Sequence, residues 1–119
     1  AESGSQNVAV NEDVLTKVQT LLEEENFYLD PDLNLNRIAR RLSLPSREVS
    51  RAINMASGTN VSQYVNQLRI EEACRLLKEP TVSITETIYS CGFNTKSNFN
   101  REFVRVMGKT PSEWRAESI

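Results

Sequence analysis

The chain of 119 residues contains no histidine and only two cysteines, Cys74 and Cys91, so it is poor in side chains that hold transition metals. Two distant cysteines without histidine do not fit the ligand spacing of a zinc site, and we predict two reduced, semi-buried thiols rather than a disulfide. The sequence also has no glycine-rich phosphate loop and no cysteine beside an evident base. We therefore predict a protein without catalytic activity, metal or cofactor.

Long apolar runs are also absent. The longest apolar clusters are pairs and triplets, such as Phe27, Tyr28 and Leu29, whereas a membrane span needs roughly 20 apolar residues. We therefore expect a soluble chain, and reduced thiols favour the cytoplasm. Residues 1–10 show no secretory pattern, and we expect them to be a disordered stub or a cloning remnant before one compact domain, residues 11–119.

Charge is distributed unevenly along the chain. Residues 1–32 contain eight acidic residues and a single base, Lys17, which gives a formal charge of −7. Residues 33–119 contain 13 basic and eight acidic residues, which gives +5. Because attraction to phosphate depends on the local potential, the net charge of −2 does not exclude a nucleic-acid partner.

Helical periodicity begins within residues 11–26, where Asn11 is the predicted N-cap and apolar residues form one stripe: Val14, Leu15, Val18, Leu21 and Leu22. Asn34 is predicted to cap a second helix, which carries Ile38 and Ala39, and Ser46 to open a third, which carries Val49 and Ile53. Only three residues separate these two helices. That spacing is typical of a helix-turn-helix, with an ordinary helical hairpin as the alternative.

A longer helix is predicted over about residues 62–79, ended by Pro80, with apolar residues on two of its sides. At about 1.5 Å per residue it would span roughly 27 Å and could join two subdomains rigidly. The pattern then starts again. Ser83 is predicted to cap a helix that ends before Gly92 and Phe93, and a further helix follows with Phe99 and Phe103. Gly108 ends that helix, and Thr110 caps the last one.

The two halves repeat at an offset of fifty residues, which aligns Arg51 with Arg101, Gly58 with Gly108 and Tyr64 with Trp114. The turn of the second copy is one residue longer, because five steps separate Leu44 from Val49 and six separate Phe93 from Phe99. Each copy is thus predicted to contain a helix, a tight turn, a second helix, a glycine stop and a capped helix.

The second helix of each copy has a predicted exposed face opposite its apolar residues. These faces carry Arg47, Ser50, Arg51 and Asn54 in the first copy, and Ser97, Asn98, Asn100 and Arg101 in the second, with Lys96 at the start of that helix. Arginine and asparagine side chains match the guanine and adenine edges in the major groove, and serine adds short contacts. We interpret the two faces as DNA-reading surfaces, with plain solvation as the alternative.

Residues 84–115, ITETIYSCGFNTKSNFNREFVRVMGKTPSEWR, resemble the C-terminal signature of the AraC/XylS family of bacterial transcription regulators. The resemblance extends back to about residue 27. It implies an all-α fold of about seven helices: a first helix-turn-helix subdomain over about 11–61, a linker helix over about 62–79 and a second subdomain over about 81–116. The sequence departs from the family pattern at Thr87 and Ile88, where the family commonly has Ile-Ala.

The resemblance also implies a function. The two recognition helices would enter successive major-groove segments about 34 Å apart. The contacting positions would be Arg47, Ser50 and Arg51 in the first subdomain and Lys96, Ser97, Asn98, Asn100 and Arg101 in the second. RNA polymerase and an N-terminal sensing or dimerising half, either soluble or membrane-embedded, are the implied partners, and no small molecule is expected in this domain.

We therefore predict a sequence-specific domain that binds double-stranded DNA. The alternative is a helical protein-interaction module without its own DNA specificity, which would contact a sensory domain or RNA polymerase through the acidic residues Glu23, Glu24 and Glu25.

Overall fold

The computed structural model describes residues 13–118, and all regular structure within that range is helical. Helix α1 comprises residues 13–19 and continues into a π-helical turn, Thr20–Glu24. A 3-10 turn follows at Phe27–Leu29. The later helices are α2 (Leu35–Leu42), α3 (Ser46–Ser57), α4 (Val61–Leu77), α5 (Ile84–Ser90), α6 (Lys96–Met107) and α7 (Pro111–Ser118). The prediction of an all-α fold with about seven helices is confirmed. The expected stub, residues 1–10, and the proposed cap Asn11 lie outside the described residues.

The described residues form two compact units. Unit 1 contains the residues up to Phe27 together with Asp32–Val65, and unit 2 contains Tyr28–Pro31 together with the residues from Asn66 onward. The placement of Tyr28–Pro31 in unit 2 is not visible in the sequence pattern. None of the helices between residues 13 and 118 has the length and apolar character needed to cross a membrane.

Helix α4 contributes to both cores. Its first turns bury Val61 and Val65 in unit 1, and its later turns bury Ile70, Ala73 and Leu77 in unit 2. The helix extends over Val61–Leu77, one residue earlier at its start and two residues shorter at its end than the sequence indicates. It ends three residues before Pro80, which cannot continue a helix because it lacks a backbone N–H.

In unit 1, the sequence signals at the helix ends act as predicted. The Asn34 side chain accepts a 2.9 Å hydrogen bond from the backbone N–H of Arg37 at the start of α2. Helix α3 begins at Ser46, directly after Pro45, and ends at Gly58, whose φ of 71° is left-handed. The core includes the apolar residues of both helices: Ile38, Ala39, Val49, Ala52 and Ile53.

Unit 2 repeats this arrangement around a cluster of aromatic rings. Ser83 caps α5 and Thr95 caps α6, each accepting a hydrogen bond from the N–H three residues on. The Phe99 ring meets the Phe93 ring edge-on at 5.4 Å between centroids and lies 5.6 Å from the Phe103 ring. These three fully buried rings seat α6 on the core.

The turns of the two helix-turn-helix motifs differ by one residue, as the sequence predicts. The N–H of Leu44 donates to the carbonyl of Ala39, and the N–H of Phe93 donates to that of Ile88, so the first helices correspond at an offset of 49 residues. The second helices of the two motifs start at Ser46 and Lys96 and so correspond at an offset of 50. The extra residue is Asn94, whose side-chain amide donates a 3.1 Å hydrogen bond to the carbonyl of Pro31 within unit 2.

Candidate nucleic-acid interface

Helix α3 separates a buried face from an exposed polar face. Val49 and Ile53 are fully buried, whereas Arg47 and Arg51 are exposed and Ser50 is half-buried. This distribution follows from helical spacing, because positions 49, 52 and 53 share one side and positions 47, 50, 51 and 54 share the other. Unit 1 therefore presents the three predicted contact residues of α3 on one polar surface.

Helix α6 has the same distribution in unit 2. Phe99 and Phe103 are buried, and the five predicted contact residues are exposed or half-buried: Lys96, Ser97, Asn98, Asn100 and Arg101. The structure brings these five residues together on the first turns of one helix. An open groove of about 460 Å³ adjoins them and is lined by Lys96, Asn100 and Val104 together with residues of α5 and α7.

Two of the α6 residues are already paired with each other. The Arg101 Nη2 atom donates a 2.6 Å hydrogen bond to Asn98 Oδ1, and the Asn98 backbone N–H donates to Thr95 Oγ1 at 3.2 Å. Because the Arg101–Asn98 hydrogen bond orders both side chains, less rotamer entropy would be lost when they meet a ligand. Arg101 keeps further N–H donors in the guanidinium plane for an acceptor such as a phosphate or a guanine edge.

A polar network behind α6 is not predicted by the sequence pattern. The Asn66 amide donates a 2.9 Å hydrogen bond to Glu102 Oε1, and Arg105 forms an ion pair with the same carboxylate at 3.1 Å. Only 7% of Glu102 is exposed. Glu102 of α6 corresponds to Ala52 of α3, which is buried. A glutamate at a position that is buried in the other copy is the one sequence signal that could have indicated a hydrogen-bonded carboxylate in the core.

A second unpredicted feature lies at the turn before α6. Arg69, on α4, donates 2.8 Å hydrogen bonds from Nε to the carbonyl of Tyr28 and from Nη2 to that of Asp30. Gly92 lies directly against this contact, because a Cβ there would be 2.9 Å from both Arg69 Nε and Tyr28 O. The turn of the second helix-turn-helix is thereby fixed by a segment far away in sequence.

The two cysteines are buried or half-buried within the described residues. Burial raises the pKa of the Cys91 thiol to about 12, and burial also raises the pKa of Cys74, so neither thiol is activated as a nucleophile. Within residues 13–118, no group of three or more potential metal ligands comes together.

Comparison with known proteins identifies the family. The chain matches the family described as "Helix-turn-helix domain" over residues 38–117. It is 31% identical over 102 residues to the HTH-type transcriptional activator RhaS of Pectobacterium carotovorum, an alignment that covers 86% of this chain and 37% of that protein. The chain thus spans little more than a third of the length of this relative.

Two solved structures show the same fold. A Chromobacterium violaceum transcriptional regulator, described as a protein with an AraC-type DNA-binding domain, aligns with a TM-score of 0.76 and 27% identity, covering 98% of this chain and 96% of that one. The DNA-binding domain of AdpA, solved in complex with a target DNA, aligns with a TM-score of 0.75 and 24% identity, covering 87% and 90%. The match over residues 38–117 and the likenesses to RhaS and to the Chromobacterium violaceum regulator show that the chain belongs to the AraC-type helix-turn-helix family of DNA-binding regulator domains, a family without enzymatic activity.

Proposed function

We propose that the domain recognises a specific double-stranded DNA sequence by placing α3 and α6 in the major groove. This proposal rests on one observation: the same arrangement of buried and exposed residues occurs on α3 and, fifty residues later, on α6. Each helix is anchored by fully buried side chains and shows arginine and serine on its opposite face. Such a helix can lie in the major groove, which is wide enough to admit it.

In this proposal, Arg47, Ser50 and Arg51 contact DNA from α3. Lys96 and Ser97 lie on the first turn of α6, where they would reach the phosphate backbone. Asn98, Asn100 and Arg101 would contact base edges, since asparagine pairs with adenine and arginine with guanine. The ordered pair of Asn98 and Arg101 supports this assignment, because the two side chains are held together before DNA arrives.

We further propose that the domain works within a longer regulator, because the related activator is more than twice as long as the aligned region. The remaining part would sense a signal or dimerise, and RNA polymerase would be recruited or positioned at the promoter. Such a regulator would act in the bacterial cytoplasm, where the DNA is found. The exposed acidic residues Glu23, Glu24 and Glu25 are candidates for a protein partner.

A salt titration with a labelled mixed-sequence DNA duplex tests the DNA-binding function. Binding that uses lysine and arginine contacts to phosphate releases counterions, so log Kobs should fall with log salt at a slope of about −0.9 for each phosphate contacted. We expect measurable affinity at low salt and a steep fall as salt rises. Absence of binding at low salt, or affinity that does not respond to salt, would favour a protein-interaction module instead.

A further inference from the structure

The two helix-turn-helix motifs carry very different charge. Residues 35–57, which span α2 and α3, contain five arginines and one glutamate, a formal charge of +4. Residues 84–107, which span α5 and α6, contain three basic and two acidic residues, a formal charge of +1. The difference arises on the first helices, which carry +3 in α2 and −1 in α5, whereas the second helices carry +1 in α3 and +2 in α6.

Position by position, the first helices differ in charge. At the offset of 49 residues that the turn hydrogen bonds define, the arginines of α2 correspond to uncharged or acidic residues of α5. Arg37 corresponds to Glu86, Arg40 to Tyr89 and Arg41 to Ser90. We call Arg37, Arg40 and Arg41 the α2 arginine face.

The α2 arginine face lies opposite the buried residues Ile38 and Ala39 and is ordered by its neighbours in unit 1. The guanidinium groups of Arg41 and Arg37 lie 5.4 and 5.9 Å from the centre of the Phe27 ring. Stacking on an aromatic ring leaves the N–H groups at the edge of a guanidinium available to an acceptor. The ring thus orients these two arginines, and Arg41 also forms an ion pair with Glu25 at 3.9 Å, in which both side chains are more than half exposed.

Arg40 lies toward the start of the recognition helix. Asn36 Oδ1 accepts a 3.2 Å hydrogen bond from Ser46 Oγ, so this side of α2 faces the first residue of α3. Arg40 follows Asn36 by four residues and thus lies on the same row of the helix. Its side chain is exposed. In helix-turn-helix proteins, the first helix crosses the DNA backbone while the second enters the groove.

We propose that the α2 arginine face binds DNA phosphates and that α5 carries no equivalent row of arginines, so the two motifs are unequal. The first motif supplies the larger share of salt-dependent, sequence-independent affinity. On α5, Glu86 repels phosphate and Tyr89, which is 59% exposed, brings no charge. This inference rests on the proposed DNA-binding function.

The test compares two equivalent positions, Arg40→Gln on α2 and Tyr89→Gln on α5, with Arg75→Gln as the control for net charge. Arg75 is also exposed but lies on α4 and is paired with Glu72 at 2.6 Å. Binding to a labelled random-sequence duplex and to a duplex obtained by in-vitro selection is measured over a range of salt concentrations. Thermal unfolding of each variant verifies that it folds.

Arg40→Gln is expected to reduce the magnitude of the salt slope by about 0.9, the value for one phosphate contact, on both duplexes. Its affinity should fall by the same factor for random and selected DNA, while Tyr89→Gln and Arg75→Gln keep the wild-type slope. A wild-type slope in Arg40→Gln, or an equal loss in Tyr89→Gln or Arg75→Gln, would overturn the inference. Wild-type protein that binds neither duplex at low salt would instead defeat the proposed function itself.

Discussion

Asn66 and Glu102 face each other across the buried boundary between α4 and α6, and the Asn66 amide donates a 2.9 Å hydrogen bond to the Glu102 carboxylate. Arg105, one turn further along α6, forms an ion pair with the same carboxylate. In α3 the equivalent residue is Ala52, which is buried as part of an apolar core. The recognition helix of unit 2 is therefore held in place by a polar network that α3 lacks at that position.

Replacing Glu102 by alanine should destabilise the protein by about 1–3 kcal/mol, because a buried donor, the Asn66 amide, would lose its acceptor. Glu102→Gln is the matched variant, since its amide oxygen can still accept from Asn66. We expect it to cost clearly less than the alanine variant. Urea unfolding measures both free energies, and equal costs for the two variants would show that the hydrogen bond does not contribute.

The contribution of Glu102 should depend on pH. Burial by itself raises the pKa of the carboxyl group, but hydrogen bonds from Arg105 and Asn66 outweigh burial and lower the pKa below its usual value. A folded-state pKa below the unfolded value, about 4.3, means stability that is present above that value and lost as the pH falls through the folded pKa. The stability difference between wild type and Glu102→Gln should therefore shrink on acidification. A difference that stays constant from neutral to acidic pH would contradict the assigned pKa direction.

Gly92 should tolerate substitution far less well than Gly58. Both have positive φ, 102° and 71°, so alanine is strained at either position. A Cβ at Gly92 would also be 2.9 Å from Tyr28 O, whereas nothing lies within 4 Å of a Cβ at Gly58. We expect about 1–2 kcal/mol of destabilisation for Gly58→Ala, from backbone strain alone, and a clearly larger loss for Gly92→Ala. Denaturant unfolding measures both, and equal losses would show that the segment around Tyr28 moves aside freely.

Cys91 should be unreactive in the folded protein. Its pKa is raised to about 12 by burial, and its thiol donates to the carbonyl of Ile88 at 3.4 Å. In a Cys74→Ser variant, labelling by a thiol reagent at neutral pH should be far slower than for the same protein unfolded in denaturant, because little thiolate is present and access is blocked. Labelling of the folded variant at the rate of an exposed cysteine would contradict both the burial and the pKa.

Much of this architecture could be predicted from the sequence because its signals are local. Caps such as Asn34 and Ser83, and stops such as Gly58, act within one helical turn, and the extra residue at Asn94 appears as a simple difference in spacing. Contacts that depend on tertiary packing could not be predicted. A sequence pattern treats glutamate and arginine as exposed, so it misses the buried carboxylate of Glu102 and the hydrogen bonds from Arg69 to the carbonyls of Tyr28 and Asp30.

Arg51 and Arg101 occupy equivalent positions of the two recognition helices and should matter equally to recognition. We expect Arg51→Ala and Arg101→Ala each to weaken binding to a selected duplex by about 1–3 kcal/mol if the arginine reads a base. An arginine that contacts only phosphate would weaken binding to every duplex by the same factor. Arg75→Ala is the control, because Arg75 lies on α4 and pairs with Glu72. Unchanged binding in both variants would refute the assignment of these faces.

In-vitro selection of bound duplexes from a random DNA library tests the central claim most directly. Two recognition helices that read DNA should enrich two separate blocks of preferred bases. Repeating the selection with Arg51→Ala should relax one block, and with Arg101→Ala the other. Selection that enriches no sequence, or two variants that relax the same block, would contradict recognition by one reading helix in each unit.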